Sequence, residues 1–119
     1  MQGGVVFRID GALFFLPSTV AMRIVPVPRI GRVPGAPAEL LGLALVEGAM
    51  IPVVSVGASR ASMIVVQYLG ERVGLVGLDV VATGRFETAH DHVLVGDEHA
   101  RLLDVSAVIA RVRDTRWAV

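Results

Sequence analysis

The residues best equipped for chemistry lie in one short segment, His90-Asp91-His92, followed closely by Asp97, Glu98 and His99. Imidazoles and carboxylates at such spacing are donors a transition metal accepts, so a small metal-dependent enzyme built on His90, His92 and His99 is one reading. The other is a solvated polar loop, and the rest of the chain favours it. There is no cysteine and no His-Glu-x-x-His spacing to fix two ligands on one face. Ser18, Ser55, Ser59, Ser62 and Ser106 lack the strand-turn-helix setting of a hydrolase nucleophile. The 13 glycines form neither a Gly-x-Gly-x-x-Gly run nor a Walker pattern, and each has a turn to explain it. The expectation is a protein with no catalytic residue, no metal and no cofactor.

The elements that carry these residues are short. With 119 residues the chain makes one compact domain. Apolar residues are 54% of it, yet the longest apolar stretch contains Glu47 and Pro52 and falls short of the roughly 20 residues a membrane span needs. The start, Met-Gln-Gly-Gly, has no signal-peptide character, and the absence of cysteine fits a reducing compartment, so a cytoplasmic protein without direct membrane insertion is expected. Eleven acidic residues balance 11 basic ones, which leaves no global field to favour nucleic acid. Stacking aromatics are also scarce, and Phe7, Phe14 and Phe15 sit in strongly apolar runs that read as core.

Read in order, Val5 to Ile9 alternates as a strand with Val5, Phe7 and Ile9 on one face, and Asp10-Gly11 turns it into Leu13–Leu16. Val20, Met22 and Ile24 alternate with Ala21, Arg23 and Val25, which places Arg23 on the less apolar face of the next strand. Pro34, Gly35 and Pro37 break the chain before a short helical turn over Ala38–Leu41. Gly42 then leads to two apolar strands, Leu43–Val46 and Met50–Val56, joined at Glu47-Gly48-Ala49. Met63–Leu69 is almost continuously apolar and reads as a strand buried on both faces. Gly70-Glu71 returns it as Val73–Leu78, and Val80–Ala82 follows. The segment from Phe86 to His92 shows no period and reads as a loop. Short strands at Val93–Val95 and Arg101–Leu103 precede Asp104, which caps a helix with Val105, Val108, Ile109 and Val112 on one face. Arg111 and Arg113 stand at its C-terminal end, where the helix dipole favours cations, and Trp117 lies in a short tail.

Repeated short strands with Gly and Pro turns imply an all-β barrel or sandwich with one terminal helix. The order of apolar strand, Gly turn, return strand and short third strand occurs twice, which suggests two small barrels of related shape. With no catalytic signal, the natural role is an interaction module, and an apolar groove between two barrels is a seat for a partner helix.

The run from Val33 to Val56 closely resembles the signature of the CheW-like domain of bacterial chemosensory systems: a proline-rich loop, a Gly-initiated strand, a charged residue before a turn glycine, then Pro52-Val53-Val54-Ser55-Val56. Val5-Val6-Phe7-Arg8-Ile9-Asp10-Gly11, Leu69-Gly70-Glu71-Arg72-Val73, Leu78-Asp79-Val80-Val81 and Arg101-Leu102-Leu103-Asp104-Val105 resemble further elements of that family in the same order. The resemblance implies two SH3-like barrels packed side by side. First-barrel strands are expected mainly within residues 4–56, second-barrel strands within 62–103, and the helix at about 104–113. It implies a non-enzymatic adaptor that binds the cytoplasmic tip of a chemoreceptor and contacts the regulatory domain of a CheA-type histidine kinase. Receptor contact falls, position by position, on Ala21, Ile24, Glu47, Met63, Ile64, Leu75 and Val81, with Gly42 supporting the loop. On this reading an aspartate at Ile24 or Met63 abolishes receptor binding and leaves the fold intact.

Three departures set this chain apart. The family's Arg-Gly turn is Glu47-Gly48, the Asp of its Pro-Val-x-Asp-Leu strand is Ser55, and between Phe86 and Val93 the chain lacks roughly a dozen residues that ordinary members have. Receptor binding survives these changes better than kinase binding, so a receptor-only adaptor is the alternative. In length and divergence the chain is similar to the short CheW-like members of the myxobacterial Frizzy system. The family typically matches its turn Arg with a Glu in a Val-x-Glu-Ile strand, here Ala21-Met22-Arg23-Ile24. Both signs are reversed together, and Arg23 and Glu47 are expected within salt-bridge distance.

Overall fold

The structure of the protein, a computed structural model, describes residues 1–113; the expectation for Trp117 lies outside them. Ten strands and one helix follow in order: β1 (Gln2–Ile9), β2 (Ala12–Pro17), β3 (Ala21–Pro26), β4 (Leu40–Val46), β5 (Ala49–Ser55), β6 (Ser59–Tyr68), β7 (Glu71–Gly77), β8 (Asp79–Ala89), β9 (His92–Val95), β10 (Glu98–Leu102) and α1 (Val105–Arg113). The expected all-β class with a terminal helix is what forms. Three hairpins turn on a residue pair with positive φ at both positions, Asp10-Gly11, Glu47-Gly48 and Leu69-Gly70. That backbone twist matches the right-handed twist of the flanking strands.

The strands form a closed barrel, β1-β2-β10-β9-β8, and a five-stranded sheet, β3-β6-β7-β5-β4. The two share one pairing plan. In each, an antiparallel hairpin (β1-β2 or β6-β7) carries a further strand on one side (β8 or β3), while its other strand runs parallel to a member of a second hairpin (β10-β9 or β5-β4). The repeated order of strand, turn and return strand thus has a structural counterpart. It also corrects the expected partition. The third strand of each repeat crosses to the other unit, so β1 and β2 close with β8, β9 and β10, and the middle of the chain, β3 to β7, makes the other sheet.

Two local expectations are also corrected. Residues 38–41 form no helix: Leu40 N–H donates to Pro37 O at 3.0 Å, a single turn, and Leu40 already belongs to β4. The polar segment after Phe86 is not a loop, because β8 continues to Ala89 and a two-residue turn at His90-Asp91 leads into β9. Of its side chains, Phe86 points inward and meets Phe15 edge-on at 6.0 Å between ring centres, which anchors a stretch otherwise polar enough to look unstructured.

Three apolar clusters follow from this arrangement. Val6, Leu13, Phe15, Val93 and Ala100 fill the barrel. Ala44, Val46, Ile51, Val53, Met63, Val65 and Val76 fill the concave side of the sheet. The most extensive cluster lies between the two and joins Val5, Phe7 and Leu16 to Leu40, Ile64, Val66 and Leu75. Strand alternation supplies two clusters from one strand: in β6, Met63 and Val65 face one way and Ile64 and Val66 the other. Nine residues are too few for a helix to stand alone in water. α1 is held by Val105, Val108, Ile109 and Val112, all buried in the shared cluster as their spacing predicts.

Asp104 caps this helix, its Oδ1 accepting from Ser106 Oγ at 2.5 Å and from Ala107 N–H at 3.1 Å. Those bonds hold its carboxyl below the usual carboxylate range, the Ser106 hydroxyl contributing most. A depressed carboxylate pKa stabilises the folded state above the unfolded value of about 3.9, and that contribution is lost as pH falls through the folded value. Wild type is therefore expected to resist urea better than Asp104→Asn at about pH 6, with the gap narrowing as pH falls below about 3.9. A gap independent of pH would assign the carboxylate no role.

Candidate functional site

Where the two units meet, β3 leaves a groove against β1 and β8. It has a volume of about 390 Å³ and is lined by Ala21 to Ile24, by Gly3 to Val5 and by Thr83 to Arg85. β3 is an edge strand, and its pairing with β6 slips between Ala21 and Arg23. The expected buried face of Val20, Met22 and Ile24 is therefore broken: Val20 packs against the shared cluster, Met22 and Ile24 are 42% and 40% exposed, and Val25 packs inward. Val81, 48% exposed, lies on β8 outside the groove's lining, where the β1–β8 register shifts. Ala21, half-buried, forms part of the wall. Three sizeable apolar side chains thus stand open to water on the strands that flank the groove. Arg85, at its rim, donates to Met1 O at 3.3 Å.

Arg23 and Glu47 meet as their paired sign reversal predicts, Arg23 Nη1 donating to Glu47 Oε2 at 2.6 Å. Their positions give the contact a structural meaning. β3 and β4 are the two open edges of the five-stranded sheet, which curls to bring them near one another. Past the end of β3, Gly31 N–H donates to Leu43 O at 2.8 Å and Leu43 N–H to Gly31 O at 2.9 Å. Arg23 and Glu47 add a side-chain link across the same seam. Both side chains are about half exposed, so the pair contributes about 0–1 kcal/mol to stability. Gly42 supports this seam: its φ is 150°, and a Cβ there would lie 2.1 Å from Gly31 O.

The same end of the sheet presents residues that the sequence reading did not single out. In β4 the smaller Gly42, Ala44 and Val46 face inward, and Leu43 and Leu45 face out. Leu45 pairs across the hairpin with Met50, and the two are 64% and 61% exposed. The alternation was visible in the sequence, but not its direction, since both sets are apolar.

Met63, Ile64 and Leu75 are placed differently from expectation. All three are fully buried, because β6 and β7 are interior strands of the sheet and their two faces supply two clusters. Met63 fills the space beside Gly74 that a side chain on that residue would need. No partner can touch them in the folded protein. Ala21, Arg23, Ile24, Glu47 and Val81 remain at the surface, and Gly42 acts from within.

The histidine segment is brought partly together. His92 and His99 lie edge to face, 4.6 Å between ring centres, on the paired strands β9 and β10. His92 Nδ1 lies 3.4 Å from Asp91 Oδ1, and this contact holds the Asp91 carboxyl below its ordinary range. Glu98 is engaged elsewhere, accepting from Arg8 at 2.9 and 3.1 Å. Among the described residues no three histidines or carboxylates converge on one point. No helix among them is long and apolar enough to cross a membrane.

Two intertwined five-stranded units with an apolar groove between them define a protein-interaction module. The family model of the CheW-like domain matches residues 3–90, and the chain belongs to the CheW-like family, the scaffold proteins of chemotaxis signalling. The crystal structure of the scaffolding protein TtCheW from Thermoanaerobacter tengcongensis has the same fold, with a TM-score of 0.74 at 19% identity, over 88% of this chain and 86% of that one. No curated protein matches it by sequence.

Proposed function

We propose that this protein is a non-enzymatic cytoplasmic adaptor that binds the cytoplasmic tip of a methyl-accepting chemoreceptor in the β3–β8 groove and tunes its coupling to a CheA-type histidine kinase. The observation that carries this reading is the exposure of Met22 and Ile24 in the lining of the groove, with Val81 exposed on β8 two residues from it. An amphipathic helix buries such residues in a groove of this kind. The Arg23–Glu47 pair then sets specificity, because a receptor matched to the opposite arrangement places like charges against it. Arg23→Glu combined with Glu47→Arg is expected to keep the fold and change which of two receptor tips is preferred in competition. Unchanged preference would remove the pair from the account.

A receptor-only adaptor is the second reading, favoured by the two-residue connection at His90-Asp91, which closes the barrel where other members carry additional chain. Interfaces usually bury about 800 Å² per partner, and a missing segment of about a dozen residues is a large share of one. The test is a pull-down with separate receptor-tip and kinase regulatory-domain fragments from the same genome. The tip is expected to be retained and the kinase domain to bind weakly beside a full-length adaptor. Failure to retain the tip would overturn the proposal, and equal kinase retention would overturn the second reading.

A further inference from the structure

Away from the groove, and sharing no lining residue with it, the proline-rich loop before β4 covers a half-open pocket of about 480 Å³. Apolar side chains line it, Ile30, Val33, Leu40 and Leu41 prominent among them, while polar atoms make up slightly more of its surface than apolar ones, and it carries two charges, Arg32 and Arg60. No carboxylate lines it. Arg60 is held in place by neutral acceptors alone: Nη1 donates to Gly57 O at 2.9 Å and Ser59 O at 2.8 Å, and Nη2 to Ser55 Oγ at 3.3 Å. One Nη2 hydrogen and the Nε hydrogen remain for a ligand. Arg32 has no hydrogen bond or ion pair among the described residues. The chain as a whole is neutral, so two uncompensated guanidinium groups beside the apolar side chains of one pocket are a local imbalance.

We propose that this pocket binds a carboxylate carried on an apolar body. The volume falls within the range of small-ligand sites, about 300–1,000 Å³. Guanidinium groups match a carboxylate with paired hydrogen bonds. Phosphate could use the same donors but would leave the apolar side chains of the lining uncovered. The same chemistry occurs in a free aromatic or aliphatic acid and in the C-terminus of a peptide ending in apolar residues, and the test separates them.

The probes are hydrocinnamate, its amide, and N-acetyl-Leu-Phe with a free or amidated C-terminus. Each is titrated into the isotopically labelled full chain and followed through the Leu40 and Leu41 amide signals and the Arg60 Nε–H signal. Saturable shifts are expected with a carboxylate and not with its amide. Binding of hydrocinnamate alone would assign a small acid, and binding of the free peptide alone a C-terminus. Arg60→Gln and Arg32→Gln are each expected to weaken binding about tenfold. Arg32→Gln breaks no bond in the fold, so it keeps the test valid if Arg60→Gln disturbs the loop. No saturable shift up to about 10 mM, equal shifts with the amides, or unchanged affinity in both variants would overturn the proposal.

Discussion

Ile24→Asp is expected to abolish binding of a receptor tip while the domain stays folded, and Met63→Asp is expected to unfold it. The sequence makes the two positions look equivalent, since both are apolar and both match receptor-contact positions of the family. Their surroundings decide otherwise. Ile24 is 40% exposed on an edge strand, so the change removes part of one aliphatic contact, about 1–2 kcal/mol. Its carboxylate keeps its water in the free protein and must lose it, without a partner, only when a helix docks. Met63 is fully buried between strands. There the change forfeits the burial of a whole side chain, about 1.5–3 kcal/mol, and adds several more for a desolvated carboxylate. Against a domain stability of about 5–15 kcal/mol, that sum removes most or all of it. Circular dichroism melts beside receptor binding separate the two outcomes. A folded Met63→Asp that merely fails to bind would contradict the burial argument.

Gly42→Ala is expected to be the next most damaging change, although it deletes nothing. The residue has φ 150° and lies against Gly31, whose carbonyl oxygen would sit 2.1 Å from the new Cβ. The backbone strain alone is worth about 1–3 kcal/mol, and relief requires the Gly31–Leu43 bridge to open. That bridge holds the seam between β3 and β4, so the loss should reach beyond stability to the groove that β3 lines. Hydrogen exchange at the Gly31 and Leu43 amides should rise before the rest of the sheet opens. A variant with wild-type exchange there would show that the seam does not depend on Gly42.

Much of this fold was legible in the chain because local chemistry dictates it. Asp10-Gly11 and Glu47-Gly48 specify tight turns, and Asp104 with the spacing of Val105, Val108, Ile109 and Val112 specifies a capped, one-faced helix. The Arg23–Glu47 contact was legible for a different reason: two signs reversed together can be unrelated surface changes, but a pair that still meets explains both at once, and the two side chains do meet. What stayed hidden depends on tertiary partners. Nothing local to β3 says that it leaves the unit of the hairpin before it, so the division of strands between the two units could not be read. The continuous apolarity of β6 did disclose burial on both faces, and that reading conflicts with a receptor contact at Met63 and Ile64, both of which are interior. Phe86 alone anchors the distal half of β8, too weak a signal against its polar neighbours. In the second half of β4, Leu43 and Leu45 point outward and the smaller Ala44 and Val46 inward, the reverse of what hydrophobicity suggests, and Leu43, Leu45 and Met50 escaped notice for that reason.

The central claim is that the groove between β3 and β8 receives a chemoreceptor helix. Titrating an unlabelled receptor-tip fragment into the isotopically labelled protein tests it most directly, residue by residue. The account predicts saturable shifts concentrated at Ala21 to Ile24 and Val81 to Arg85, with smaller ones at Glu47, and little change at Val108 or Ile109 in α1. Shifts centred on α1 or on the outer face of β9 and β10, with Ala21 to Ile24 unmoved, would contradict it.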